Sequence, residues 1–325
     1  MSRRRRHSAF AFVLCLLLVQ CASFGRRITI VGEAVLARLA PNHLVIDLDR
    51  SFIEAYKDRV TIRTTFTVDV AAARPNPTIF DGDFHFAGRA PEVGFRLVGE
   101  IINAASQDSA VALVRRAEST KVPLQLTGVW RLWPEHALGT RQEQGRPVEP
   151  LRNANPEHVF EVHPVTRIGR LDLLESFVTL EGYLPGDAKR SFGIYEDARY
   201  SLVVQPERIS ITTPSGLYND VRFMMQVRPE AQRVVWDGRF VWAAILDLDG
   251  TPLVERLRMV FVRGTPPERA VRSLEPGSRL PVWGKPRVSF AGLSRIIRES
   301  ARDSTLLEGR LPYEITVLGI YPETK

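Results

Sequence analysis

Apolar and polar residues alternate most densely between residues 79 and 166, where four of the six histidines also fall (His85, His136, His158 and His163). Phe84 and Phe86 share one parity there, and Asp81, Asp83 and His85 share the other. Successive side chains of a strand point to opposite faces, so a strand here sends the phenylalanines inward and the polar trio outward, or the reverse. The split recurs further on, with Phe160 and Val162 on one face and Glu161 and His163 on the other. Similar runs predict strands over 60–70, 95–102 and 122–133. Between the last two, Ala110, Leu113, Val114 and Ala117 lie at helical spacing behind Ser106 as N-cap, which predicts a helix over 107–118. A polar loop follows from about Gly139 to Pro156. It is long for a connection within a compact domain, which marks it as mobile or functional.

Three strands, a helix and two strands, in that order, are the elements of a five-stranded OB barrel. The motifs along them are Asp81-Gly82-Asp83-Phe84-His85, Val98-Gly99-Glu100-Ile101, Leu126-Thr127-Gly128-Val129, His136 and Glu161-Val162-His163-Pro164-Val165. Together they resemble a set of small exported bacterial proteins with Asp-Gly-Asp-x-His, Val-Thr-Gly and Glu-x-His-Pro-Val motifs. The resemblance covers about residues 60–168 and implies an OB-like fold without an established activity.

Before the barrel, β-branched runs at 28–31 and 44–48 predict added strands. After Leu171 the pattern stays β-rich, with strands expected at 200–204, 208–211, 221–227, 240–246, 258–262 and 313–318 and an amphipathic piece at 293–300. The expectation is a mainly β chain: an OB-like five-stranded barrel with one helix in residues 26–169, and a second β-rich domain in 170–325. No internal repeat aligns.

Residues 1–25 stand apart. Arg3 to Arg6 make a basic start, Ala9 to Val19 an apolar run, and Ala22, Ser23 and Gly25 a small-residue end, which together predict a secretory signal peptide. Leu18-Val19-Gln20-Cys21 resembles a lipoprotein lipobox, with Gln20 where that motif carries a small residue, so lipidation at Cys21 or cleavage after Ser23 or Gly25 are both open. The expected location is the periplasm or cell envelope, with a lipid anchor the sole membrane contact. Both cysteines, Cys15 and Cys21, fall in this leader, which leaves the rest of the chain no disulfide and no thiolate chemistry. Removing Arg3 to Arg6 takes the basic count from 44 to 40 against 37 acidic residues, about +3, too little to favour nucleic acid as a partner.

Candidate chemistry sits on the polar barrel face. Asp81, Asp83, His85, Glu161 and His163 are the side-chain types that acid–base catalysis or a divalent metal requires, with Asp83, His85 and His163 the expected metal set. Hydrogen bonding that merely satisfies a polar position is the competing structural role. Trp130, Trp133 and His136 are candidates for ligand contact, the tryptophans as a stacking platform. Leu246-Asp247-Leu248-Asp249-Gly250-Thr251 resembles the first motif of haloacid-dehalogenase-type phosphatases, but Asp-Gly between alternating runs also predicts a hairpin turn. The functional expectation is an exported, non-catalytic binding or envelope-associated protein taking a small molecule, glycan or protein. The alternative is a metal-dependent hydrolase that uses the Asp/His/Glu face.

Overall fold

A computed structural model describes residues 43–136, 140–230, 232–299 and 306–322. The leader, Cys21 and the strand expected at 28–31 lie outside the described residues. The chain enters through β1 (His43–Asp49) and α1 (Arg50–Tyr56). The first barrel then runs through β2 (Thr61–Ala71), β3 (Phe84–Arg89), β4 (Arg96–Ile101), α2 (Asp108–Thr120) and β5 (Leu124–Leu132). After the short β6 (Arg141–Glu143), β7 (Phe160–Ile168) closes it, with β8 (Leu171–Asp172) folding back on its end.

Pairing runs β2–β3–β4–β7–β5 and returns to β2, antiparallel throughout except β4 with β7. That is the closed OB order, with the helix between the third and fourth strands. Phe66, Phe84 and Phe86 are fully buried, the Phe66 and Phe86 rings meeting edge to face at 5.2 Å. Gly99 makes room for them, because a Cβ there would lie 2.4 Å from the Phe86 ring. Ser106 is not the cap of α2. Its hydroxyl donates to the Asn103 carbonyl in a preceding 3-10 turn, and Gln107 occupies the N-cap.

The remaining elements are α3 (Ala188–Asp197), β9 (Arg199–Val204), β10 (Arg208–Pro214), β11 (Val221–Val227), β12 (Arg233–Val235), β13 (Gly238–Leu246) and β14 (Pro252–Val262). They continue as α4 (Pro266–Val271), β15 (Arg279–Val288), α5 (Phe290–Glu299), β16 (Leu306–Arg310) and β17 (Tyr313–Ile320). Here too the pairing closes, as β11–β13–β14–β17–β15 and back to β11, with β14 and β17 parallel. With α4 between its third and fourth strands, the second β-rich half holds a second barrel of the same order.

β12 pairs with β13 at the edge of that barrel, and the other strands form a third sheet in the order β16–β9–β10–β1–β6. This corrects the place of β1. Expected as an addition to the first barrel, it pairs along its whole length with β10, from His43 opposite Pro214 to Asp49 opposite Arg208. A boundary at 169–171 therefore follows the first barrel closely but does not divide the chain into self-contained halves. The Asp247–Thr251 segment is the hairpin turn between β13 and β14. Asp247 N–H donates to the Thr251 carbonyl, and Gly250 holds φ +91. No helix among the described residues is long and apolar enough to cross a membrane.

Candidate functional site: carboxylates and imidazoles beneath a polar cleft

Strand register gathers the polar groups. His85 on β3 lies opposite Glu100 on β4, and Arg131 on β5 lies opposite Glu161 on β7. All four share the outer face of the barrel with His163, two residues beyond Glu161, because parity repeats every second residue. The phenylalanines do point inward. The polar face is not bathed in solvent, however, because Lys285 and Pro286 from β15 of the second barrel reach it.

His163 sits at the centre. Its Nδ1 is 2.8 Å from Glu100 Oε2 and 3.3 Å from Glu161 Oε2, and its Nε2 is 3.1 Å from Asp83 Oδ2. The Asp83 contact has the length of a hydrogen bond but not its direction: both Asp83 oxygens and His163 Nε2 are buried without an aligned partner. We read it as an ionic contact. Lys285 Nζ lies 4.0 Å from the same Asp83 oxygen and 2.9 Å from Asp220 Oδ1. Burial opposes charge on His163, but Glu100 and Asp83 outweigh it and hold the imidazole well above its ordinary value. Burial lifts Asp83 to about 6 despite His163 and Lys285.

A second group adjoins the first through Glu161. Its Oε2 accepts from Arg131, and its Oε1 is 2.9 Å from His158 Nε2. Burial again opposes ionisation, yet Arg131 and His158 keep Glu161 well below the carboxylate range. The other nitrogen of His158, Nδ1, is 2.6 Å from the Pro156 carbonyl. Arg131 also donates to Glu135 at 2.9 Å and to the Pro286 carbonyl at 2.9 Å. The His136 ring lies 4.7 Å from that of His158, and its Nε2 is 3.6 Å from Glu135 Oε1. Burial and the neighbouring His158 lower His136, and burial lifts Glu135 to about 7.

A cleft of about 560 Å³ opens over these groups. His85, Glu100, Glu135 and His136 line it, with Asp81 on one wall and Arg152, Asn153 and Asn155 on another. That second wall belongs to the long loop before β7. Asp83, His158, Glu161 and His163 are at most 3% exposed and lie below the opening.

The structure thus places the sequence candidates in three ways. Asp83, Glu161 and His163 come together. His85 joins them only through Glu100, at 3.4 Å, so the set Asp83–His85–His163 does not assemble and Glu100 takes the histidine's place. Asp81 belongs to the turn before β3, its Oδ1 accepting from the Asp83 N–H and from Asn76 Nδ2. The tryptophan platform is corrected: Trp130 is fully buried, stacked on Phe290 at 4.3 Å, and Trp133 is 2% exposed with its indole N–H donating to the Tyr218 carbonyl. Neither offers a face to a ligand, whereas His136 does line the cleft.

Glu100, Arg131, Glu135, His158, Asp220 and Lys285 were not among the candidates. Glu100 and Arg131 carry a usable signal, since each is a charge with no polar residue directly beside it in its strand. Asp220 and Lys285 carry none, because their role depends on the docking of the second barrel. Two sets of three donors lie within 4.8 Å of one another among the described residues: Asp83, Glu100 and His163, and His136, His158 and Glu161.

No protein-family model matches this chain, and no curated protein does. Among solved structures it is similar to the wild-type single-stranded DNA binding protein from Thermus aquaticus, at 10% identity over 82% of this chain and 92% of that one, with a TM-score of 0.21. A deletion mutant of that protein, delta 228-252 R190A, gives 11% identity over 82% and 94%, with a TM-score of 0.22. The OB assignment rests on the strand order itself.

Proposed function

We propose that this chain is an exported, non-catalytic binding protein whose cleft takes a cationic ligand. The observation that carries this reading is the charge of the opening. Three carboxyl groups, Asp81, Glu100 and Glu135, the last raised to about 7 and bonded to Arg131 behind it, line the opening against Arg152 as the single permanently cationic side chain among its described lining residues. Carboxylates that converge on a concave surface raise the local concentration of positive partners.

The buried groups favour binding over hydrolysis. A catalytic acid or base must come within hydrogen-bond reach of a reacting atom. Asp83, Glu161 and His163 instead contact one another and the cations Arg131 and Lys285, below the cleft floor. They fix the barrel face that presents Glu100 and His85. Export is the part of the reading that the leader supports, through Arg3 to Arg6 and the apolar run behind them.

Thermal-shift measurements test the ligand class. Zinc chloride and spermidine should raise the melting temperature, and inorganic phosphate and glucose should not, because a ligand that binds only the folded state stabilises it by mass action. Stabilisation by phosphate without a response to either cation contradicts the reading.

A further inference from the structure

We infer that His136, His158 and Glu161 form a site for a divalent transition metal of the zinc class, and that this ion is the cation the cleft takes. The inference rests on the cationic-ligand reading above and narrows it.

The tautomer of His158 is the starting point. Its Nδ1 lies 2.6 Å from the Pro156 carbonyl, which can only accept, so Nδ1 carries a hydrogen. In the neutral ring the lone pair is then on Nε2, which faces Glu161 Oε1 at 2.9 Å. Two acceptors this close need a positive centre between them, either a proton or a metal ion. The spacing as it stands is that of a hydrogen bond: two ligand atoms each ~2.0–2.2 Å from a tetrahedral ion lie ~3.3–3.6 Å apart, so the ion takes the proton's place with the pair opening by about half an ångström.

The surroundings resemble the outer shell of a metal site. Ligating histidines usually donate their second ring nitrogen to a carbonyl or carboxylate, and ligating carboxylates are themselves held. His158 does the first through Pro156. Glu161 does the second, since its Oε2 contacts Arg131 and His163 while Oε1 is left to face His158. His136 supplies the third donor from the cleft wall, and its side chain is 34% exposed. Of the three ligands His136 is the one that lines the cleft, so an ion would reach the site from that side. Two imidazoles and one carboxylate select zinc-type ions over calcium or magnesium, which require mainly oxygen ligands.

Asp83, Glu100 and His163 are the weaker set. Lys285 already brings a positive charge to Asp83, and each nitrogen of the His163 ring faces a carboxylate oxygen. That arrangement is satisfied by an imidazolium.

Isothermal titration of the purified chain with zinc chloride, after removal of metals by chelator, tests the site. Titration with spermidine runs beside it, and each is done in two buffers of different ionisation heat. The expected result is one zinc per chain with release of protons, because a metal displaces the proton between His158 and Glu161. His158→Ala risks misfolding because the ring is buried, so His136→Ala carries the test. It should weaken zinc binding by at least ~100-fold, more than the loss of an outer-shell partner. Asp83→Asn should leave the affinity unaltered. Zinc binding that survives His136→Ala, or that Asp83→Asn abolishes, overturns this site. Spermidine binding without zinc binding overturns the metal and leaves the cationic-ligand reading standing. If neither binds, both fail.

Discussion

Arg287 of the second barrel lies 3.7 Å over the indole of Trp130 in the first and donates to the Trp130 carbonyl at 3.0 Å. The same guanidinium donates to the Val60 and Arg59 carbonyls and to Glu314, which also accepts from Arg258. Trp130, Arg258, Arg287 and Glu314 are all buried. The two barrels therefore meet through an ionic cluster as well as through apolar packing, and that junction holds Lys285 against the candidate site.

Removing Glu314 strands two buried guanidinium groups. Glu314→Ala should cost ~3–5 kcal/mol in urea unfolding, the usual penalty for breaking a buried pair from one side. A loss under ~1 kcal/mol would mean that water or other partners replace the carboxylate. The acid limb should respond too. Burial works against ionised Glu314, but Arg258 and Arg287 prevail and lower it from the ordinary 4.5. A depressed carboxylate contributes its stability above the unfolded value and loses it as pH falls through the folded one. Wild type should thus lose stability below about pH 4.5 relative to Glu314→Gln.

Asp83 works in the opposite direction. Burial raises it from 3.8 to about 6, so between those values the folded chain binds more protons than the unfolded one. Stability from this group is present below the lower value and falls as pH rises through the higher. Asp83→Asn should remove that slope. Unfolding midpoints of the two proteins should diverge between about pH 4 and pH 6 and run parallel above. Parallel curves throughout would show that Asp83 ionises normally.

How far the residues announced all this varies with the element. Alternation at Phe84–Phe86 and Phe160–Val162 marked the inner face of the first barrel, because one-sided burial imposes period two. The second barrel was announced only as strands. Its closure depends on the parallel pairing of Met259 and Val260 with Ile315 and Thr316, and no local pattern encodes such a long-range register. Trp130 and Trp133 show the limit in the site. Aromatic residues on a strand read alike whether they stack on a base or on Phe290, and burial alone separates the two. His158 precedes β7 in a loop, outside any periodicity, and gains its role from Pro156 and Glu161.

Trp133 offers a direct check on that correction. Trp133→Phe removes the donor to the Tyr218 carbonyl, which keeps a bond from the Tyr195 hydroxyl at 3.2 Å. The cost should be ~0.5–1.5 kcal/mol, with no change in the affinity for either cation. A selective loss of binding would return Trp133 to the ligand site.

Asp247 should behave as a turn residue. Asp247→Asn keeps the backbone bonds of the hairpin and should alter stability by no more than ~0.5 kcal/mol. Any phosphatase activity that this exchange abolishes would contradict the hairpin role.

The charge of the cleft is the central claim, and isothermal titration with spermidine addresses it most directly. The pair Asp81→Asn and Glu135→Gln removes the charge of two of the three lining carboxylates and leaves each an oxygen to accept from the Asp83 N–H and from Arg131. Wild type should bind spermidine and the double variant at least ~10-fold more weakly, a change of about 1.4 kcal/mol. Equal affinities in the two proteins, or no binding by wild type, would contradict it.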